Sequence, residues 1–414
     1  MQTQDPNQTK NMLLAVILSI GVMVAWQILY ANPQLEQERE RQRRVAEQQQ
    51  SQTVGQQTGQ TAPTAGAPTP GVTPGAGGVR AQLPARPTVL VDRKSSLSVD
   101  PRVAIETPAI QGSISLKGAR IDDVVLKRYG VSPEEGSPRV VLFSPPTAPK
   151  PYFAQSYWVA PPGSNISVPG PDTVWTASEG AKLTPASPLK LTWDNGAGLT
   201  FTRTVSVDDN YLFTIQDQVA NAGSNPVTLF PYAQVFRYGI PTDLENFFIQ
   251  HEGLIGVIGE NGFTELDYSE LLEEGSGKRV KGAVGGWLGI TDKYWASAII
   301  PPQSTPFEGN LYAPVKQAAL GGQPTFQAEY ITDGLTIPAG GNQSTTMHVY
   351  AGAKKVDVIN AYESTLGIRQ FELMVDWGWF YFLTRPIFWL LHELNLLIGN
   401  MGLAIISLTF LIKA

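Results

Sequence analysis

The rhythm of apolar and polar positions changes along the chain, and each change predicts a different kind of element. From Asn11 to Leu35 no residue is charged. Residues 12–30 (MLLAVILSIGVMVAWQILY) form a run of 19 in which only Ser19 and Gln27 are clearly polar. At 1.5 Å per residue the run reaches about 28 Å, close to the ~30 Å hydrocarbon core of a bilayer. Trp26 and Tyr30 stand near its far end, where amphipathic rings prefer the membrane interface. A cleaved signal peptide would have an apolar region of ~7–15 residues followed by a small-x-small site. Here Leu29-Tyr30-Ala31 puts a bulky residue where the first small one belongs. Residues 1–32 are therefore read as a short N-terminus and an uncleaved first transmembrane helix.

Residues 33–88 lose this character. The Glu/Arg-rich piece 35–47 can continue the helix for a few turns, but 48–79 carries no charge and is almost wholly Gln, Thr, Pro, Ala and Gly. Such a stretch cannot bury enough surface to offset its ordering entropy, so a disordered tether is expected.

From residue 89 the period becomes two. Leu199-x-Phe201 and Val205-x-Val207 alternate with Thr and Ser, and Tyr211-x-Phe213-x-Ile215 and Val227-x-Leu229 repeat the alternation. Turn clusters at Asp194-Asn195-Gly196, Asp208-Asp209-Asn210 and 221–226 are spaced to join antiparallel strands. The block 112–126 (GSISLKGARIDDVVL) reads as two strands joined at Lys117-Gly118, with Arg120, Asp122 and Asp123 in a surface turn. No long helical period appears before residue 354. Residues 89–350 are predicted to be one all-β sandwich.

In 351–398 the period lengthens again. Residues 354–366 can form a short helix, and 371–398 is dense in aromatic residues. Pro386 suits a helix start, with Arg385, His392 and Asn395 on one side of the helix that follows. An apolar helix with a thin polar stripe and flanking Trp and Tyr predicts one lying in a membrane interface; the alternative is a helix packed on the sandwich core. After Gly399-Asn400, residues 401–412 are apolar except for Ser407 and Thr409, then come Lys413 and Ala414. Twelve residues reach ~18 Å, too short to cross, so 399–414 is expected to be the first part of a second transmembrane helix.

Composition narrows the functions available. Charged residues are 16% of the chain, below the ~25% usual for soluble domains. The net charge of −6 is uneven: +2 over 1–88 (7 bases, 5 acids), −8 over 89–350 (18 and 26) and zero over 351–414 (5 and 5). An acidic body argues against nucleic acid as a partner. With no cysteine, disulfides, thiolate metal sites and Cys nucleophiles are excluded. His251, His348 and His392 lie far apart in the sequence, so no His-rich metal site is expected.

Five blocks carry a family resemblance: 285–301 (GGWLGITDKYWASAIIP), 112–126, 251–257 (HEGLIGV), 350–363 (YAGAKKVDVINAYE) and 375–386 (VDWGWFYFLTRP), the last leading to Gly399-Asn400-Met401-Gly402. Together, and in this order, they resemble the bacterial YidC membrane-protein insertases of the YidC/Oxa/Alb family. The resemblance departs at Lys413, where family members usually have Arg, and in the absence of the insertase core's remaining membrane helices. It implies an all-β supersandwich similar to galactose mutarotase, placed in the periplasm and flanked by transmembrane and interfacial α-helices. It implies an inner-membrane insertase and chaperone, not an enzyme, that needs no cofactor. Its partners would be nascent membrane-protein clients, the Sec translocon and the lipid bilayer. Trp377, Trp379, Arg385 and Trp389 would belong to the interfacial helix. Lys413 would be the positive charge of a hydrophilic groove that receives polar or acidic parts of a client. On sequence position alone, Lys413 would instead snorkel to the membrane surface.

The rival reading is a membrane-anchored periplasmic carbohydrate-binding or mutarotase-like protein. Such a protein would need a His and a carboxylate converging on a sugar, for which His251-Glu252 and His348 are the candidates. Trp287, Tyr294 and Trp295 could then stack on the sugar, although such rings more often pack in cores. Adjacent strand residues point to opposite faces, which counts against His251-Glu252 as a pair. The acidic run 260–274 lacks calcium-loop spacing and reads as a solvated face.

Overall fold

A computed structural model describes residues 91–413 except 242, 243, 245–249, 274, 275, 316–322 and 379. The predicted anchor (1–32) and tether (33–88) lie outside the described residues.

Numbered in chain order, the described strands form two sheets. The first runs β14 (Lys278–Ala283), β17 (Phe307–Val315), β18 (Thr325–Thr332), β11 (Val227–Tyr238), β5 (Tyr152–Val159), β3 (Arg120–Gly130), β2 (Ile110–Ser115), β1 (Arg102–Glu106), β7 (Lys182–Leu183). To it are added β4 (Arg139–Phe143) beside β3 and β19 (Leu335–Ile337) beside β11. The second runs β13 (Phe263–Asp267), β12 (Gly253–Ile258), β15 (Gly286–Thr291), β16 (Trp295–Ile300), β20 (Asn342–Ala353), β10 (Leu212–Asn221), β9 (Leu199–Val207), β8 (Leu189–Asp194), β6 (Thr176–Ala177). Pairing is antiparallel except between β1 and β7. The all-β sandwich expected from the alternation is what the chain forms.

The alternation has a direct packing meaning on β9 and β10. Leu199, Phe201, Arg203, Val205 and Val207 point inward and pair with Asn221, Val219, Asp217, Ile215 and Phe213, all buried. Two of the three turn clusters join antiparallel neighbours as expected, while 221–226 instead carries the chain from β10 in the second sheet to β11 in the first. Asn195 Oδ1 accepts the N–H of Ala197 at 2.8 Å and of Leu199 at 2.9 Å, closing the β8–β9 turn. Asp208 Oδ1 does the same for Asn210 and Leu212 between β9 and β10. These are Asx turns, in which a short side chain replaces a backbone acceptor.

Alternation disappears where both faces are covered. β12 and β15 are buried at every position, the turn at Phe371–Met374 packing on both strands and helix α1 (Val356–Leu366) packing in turn on it. Val358, Ile359 and Tyr362 of α1, with Ile368, Phe371 and Met374, join the same core as the strands. β20 itself runs through Ala353, so the packed unit extends beyond residue 350. Two further helices follow, α2 (Tyr381–Ile398) and α3 (Met401–Lys413).

Three local expectations need correction. Arg120, Asp122 and Asp123 are not in a surface turn but buried within β3. Asp122 meets Arg102 and Arg120, while Asp123 meets Arg93 and Ser113. Arg102 and Arg93 come from 20 and 30 residues away and Ser113 from β2; only Arg120, two residues before Asp122, is a local partner. Pro386 does not open α2 but lies inside it, five residues after Tyr381. His251-Glu252 precedes β12 rather than lying in a strand.

Candidate functional site: a helical hairpin and its seat on the β domain

α2 and α3 form a hairpin with a two-residue corner. Gly399 adopts the left-handed conformation (φ 70°) that a helix C-terminus favours, and its N–H donates to Asn395 O at 2.8 Å. Asn400 then caps α3, its Oδ1 accepting the Leu403 N–H at 3.2 Å. Along α2 the half-buried positions are Ile387, Leu390, Leu391, Leu394, Asn395 and Ile398, a three-and-four spacing that makes one face. The two helices pack on each other, and Ala404 and Leu408, one turn apart, are the buried positions of α3.

Most of the rest of the hairpin is exposed, and most of that exposed surface is apolar. Leu397 is 84% exposed and Phe410 73%, and Phe380, Phe382, Trp389, Leu396, Ile406, Leu411 and Ile412 are also open. A contiguous apolar surface of this kind marks an interaction or membrane-contact face. No described residue of α2 belongs to the buried core of the sandwich. Among the described residues no helix is long and apolar enough to cross a membrane; α3 reaches about 20 Å over its 13 residues.

The predicted site residues divide as follows. Lys413 is exposed at the end of α3; at 100° per residue it projects from the side opposite Ala404 and Leu408, away from α2. Arg385 and His392, seven residues apart, lie on the side of α2 opposite its packed stripe, while Asn395 is half-buried at that stripe's margin. Arg385 ion-pairs with Glu372. Trp389 is exposed near Arg385 on the helix. Trp377 is half-buried, edge-on to Phe388 with ring centroids 5.3 Å apart. Trp379 lies outside the described residues.

The hairpin leaves the β domain through a firmly held segment, 367–378. Phe371 inserts edge-on against Trp287 (5.5 Å between centroids) and Tyr350 (5.7 Å). The indole N–H of Trp287 donates to Gln370 O at 3.3 Å. Gln303 Oε1 accepts the N–H of Gly286 at 2.9 Å and of Arg369 at 3.2 Å. Gly286 has φ 116°, and a Cβ there would stand 1.9 Å from Val257 O. Only glycine fits. At the far end of the segment, Asp376 accepts the Gly378 N–H at 2.7 Å and the His251 N–H at 3.0 Å. Sequence reasoning singled out the block 285–301 but not Phe371, Gln303 or Asp376 as its partners.

Charges gather beside this exit. Burial lowers the pKa of Lys354 against the opposing pull of Asp292, Asp376, Glu252 and Glu265. Burial also raises Glu265, helped by Asp376 and Asp267 and opposed by His251 and Lys354. His251 Nδ1 is 2.9 Å from Asp267 Oδ1 and its Nε2 is 3.1 Å from Leu254 O, so the ring is held at both nitrogens. Glu252 turns instead to the Lys293 N–H at 2.9 Å. His348 is elsewhere on the second sheet, 3.0 Å from Thr214 Oγ1. A His and a carboxylate therefore meet at His251–Asp267 rather than His251–Glu252, but Trp287 is fully buried and offers no stacking face.

The family description "YidC periplasmic domain" matches residues 102–390. This chain belongs to the YidC family. It is 43% identical to the membrane protein insertase YidC of Methylobacterium radiotolerans, over 98% of this chain and 65% of that protein. It is 42% identical to the insertases YidC of Beijerinckia indica and of Rhizobium johnstonii, over 98% of this chain and 64% of each relative. The chain thus spans about two-thirds of the length of the YidC relatives it matches. Among solved structures it is similar to a galactose mutarotase related enzyme from Lactobacillus acidophilus, with a TM-score of 0.41 and 10% identity over 61% of this chain and 97% of that one. A putative aldose 1-epimerase from Escherichia coli gives a TM-score of 0.39 and 11% identity, over 61% of this chain and 99% of that one.

Proposed function

We propose that this chain serves in an inner-membrane insertase and chaperone that inserts and helps fold membrane proteins, alone or with the Sec translocon. The β domain lies in the periplasm, α2 lies in the membrane interface, and α3 enters the bilayer. The observation that carries this reading is the hairpin: its apolar side chains are exposed around both helices, yet it grows directly from a closed, well-packed domain. Water would penalise that surface by roughly 25 cal/mol per Å², whereas lipid would not. On α2 the Arg385–His392 side would face head groups, with Trp377 and Trp389 as interfacial rings; Trp379 is assigned to the same belt by its sequence position.

Lys413 is the proposed client-contacting charge. An ammonium within a bilayer costs about 3 kcal/mol on insertion scales, so it normally faces water or an acid. Projecting away from α2, it is turned towards whatever packs on the free side of α3. A hydrated positive site there would lower the barrier for moving a short acidic or polar segment across. Transfer of the client's apolar helix into lipid would then drive insertion without bond chemistry.

The test is insertion of a small client in cells carrying the complete gene with Lys413→Arg, →Ala or →Glu. Arg should preserve activity, Ala should lower it, and Glu should be worst because it repels acidic client segments. Equal activity for all three would end the electrostatic role and leave Lys413 as a snorkelling residue.

A further inference from the structure

We propose that the turn joining β15 to β16, residues 292–295, is a second contact with the membrane, Tyr294 lying among phospholipid head groups beside Lys293. This rests on the reading that α2 and α3 are membrane helices.

Position is the first argument. Thr291, at the end of β15, pairs with Gly253 at the start of β12. Two residues before Gly253, His251 holds Asp376, which in turn holds Gly378, three residues before α2 begins. Trp295 pairs with Ala353 at the end of β20. The turn and the exit towards α2 are therefore at the same end of the second sheet.

Exposure is the second. Among the described residues of the β domain, Tyr294 is the most exposed aromatic, at 58% against 36% for Phe263. It is held outward rather than left loose. Asp292 is ion-paired with Arg237, and its N–H donates to Trp295 O at 2.8 Å. The Lys293 N–H is held by Glu252, and Tyr294 O accepts the Lys354 N–H at 2.9 Å. Trp295 is fixed edge-on to Tyr129, 5.0 Å between centroids. The Lys293 ammonium lies over the Tyr294 ring, 5.2 Å from its centroid.

Chemistry is the third. A Tyr ring beside a Lys is a pairing that suits a head-group layer, the ring body inward and its hydroxyl at the polar boundary. One ring and one amine are far too little for a stable protein interface, which needs on the order of 1,000 Å². As an auxiliary anchor beside an inserted hairpin, they suffice.

The chain has no cysteine, so single-cysteine labels are unambiguous. A fluorophore on Tyr294→Cys, with Lys293→Cys as a second label, is compared with Leu397→Cys on the hairpin. Ala197→Cys is the control, in the exposed β8–β9 turn at the other end of the second sheet. The whole chain is reconstituted in vesicles of phosphatidylcholine and phosphatidylglycerol brominated at shallow or deep acyl positions. The 294 and 293 labels should be quenched at least twofold more than the 197 label, and more by shallow than by deep bromines, while Leu397 responds to deep ones. Introducing Lys293→Glu should reduce quenching at 294. If Leu397 is quenched but 294 and 293 match 197, the turn faces water or a protein and the proposal fails while the hairpin reading stands. If Leu397 is not quenched either, the hairpin reading itself fails.

Discussion

Phe201, Phe213 and Phe326 of the β domain are closed off from solvent, whereas Phe382, Phe388 and Phe410 of the hairpin are open to it. The two regions use the same residue type and dispose of it oppositely. In the β domain, even charges are taken inside and satisfied there: Arg203 is fully buried, forked onto Asp217 with both N···O distances 2.7 Å. It also donates to Ser156 O at 3.0 Å and lies over the Trp175 ring. In the hairpin, α2 and α3 bury only the narrow stripe needed to hold each other. The first region closes its apolar surface within itself; the second leaves most of its apolar surface open.

That contrast can be broken most severely from inside the β domain. Arg203→Met should destabilise it by about 3–5 kcal/mol, because Asp217 is left buried without a counter-charge. The double change Arg203→Met with Asp217→Leu should recover most of the loss. Urea unfolding of both variants decides; equal stability of the single variant and the parent would show the pair to be dispensable. Next in size, Gly286→Ala forces a side chain against Val257 O at a backbone conformation that L-residues rarely adopt. A loss on the order of 1–3 kcal/mol is expected, with faster proteolysis within 367–378 because the Gln303 clasp is strained.

A smaller effect concerns pH. Burial lowers the pKa of His348, so the folded state favours the neutral ring. Between the lowered folded pKa and the ordinary value near 6.5 the unfolded chain binds more protons, and stability falls as pH falls through that window. His348→Gln should flatten this part of the stability–pH curve; an unchanged slope would assign it to other groups. The smallest effect belongs to the hairpin. Leu397→Ser or Phe410→Ser should move the β-domain unfolding midpoint by no more than ~0.5 kcal/mol equivalent, while weakening retention in vesicles. A larger shift would mean that the hairpin helps hold the β domain together.

Much of the sandwich was legible because strands with one face buried write their burial as alternation. The β9 and β10 stripes and their Asx turns could be read directly. Arg203 could have been noticed too, since it occupies an inward position between Phe201 and Val205; its charge hid the pattern. Asp122 and Asp123 were illegible for a different reason. Their counter-charges, Arg102 and Arg93, are distant in sequence, and a buried ion network in a strand looks locally like a polar turn. β12 and β15 lost their alternation because the Phe371–Met374 turn packs on them, a tertiary fact no period discloses. Pro386 misled because a proline tolerated in an early turn resembles one that begins a helix. For the hairpin, the aromatic density and the Gly399-Asn400 corner were visible, but the placement of Lys413 away from α2 needed the helix geometry.

The Gly399-Asn400 corner has a mechanical consequence. Both of its residues are committed to capping, one closing α2 and the other opening α3, so no free link remains between the helices. On the proposed membrane placement, a hairpin with so short a corner would couple a roll of α2 to the tilt of α3. Because α2 is tied to the β domain through Glu372 and the Asp376 clasp, a nudge on that domain would reach Lys413 as a change in angle. So placed, the corner would act as a gear rather than a hinge.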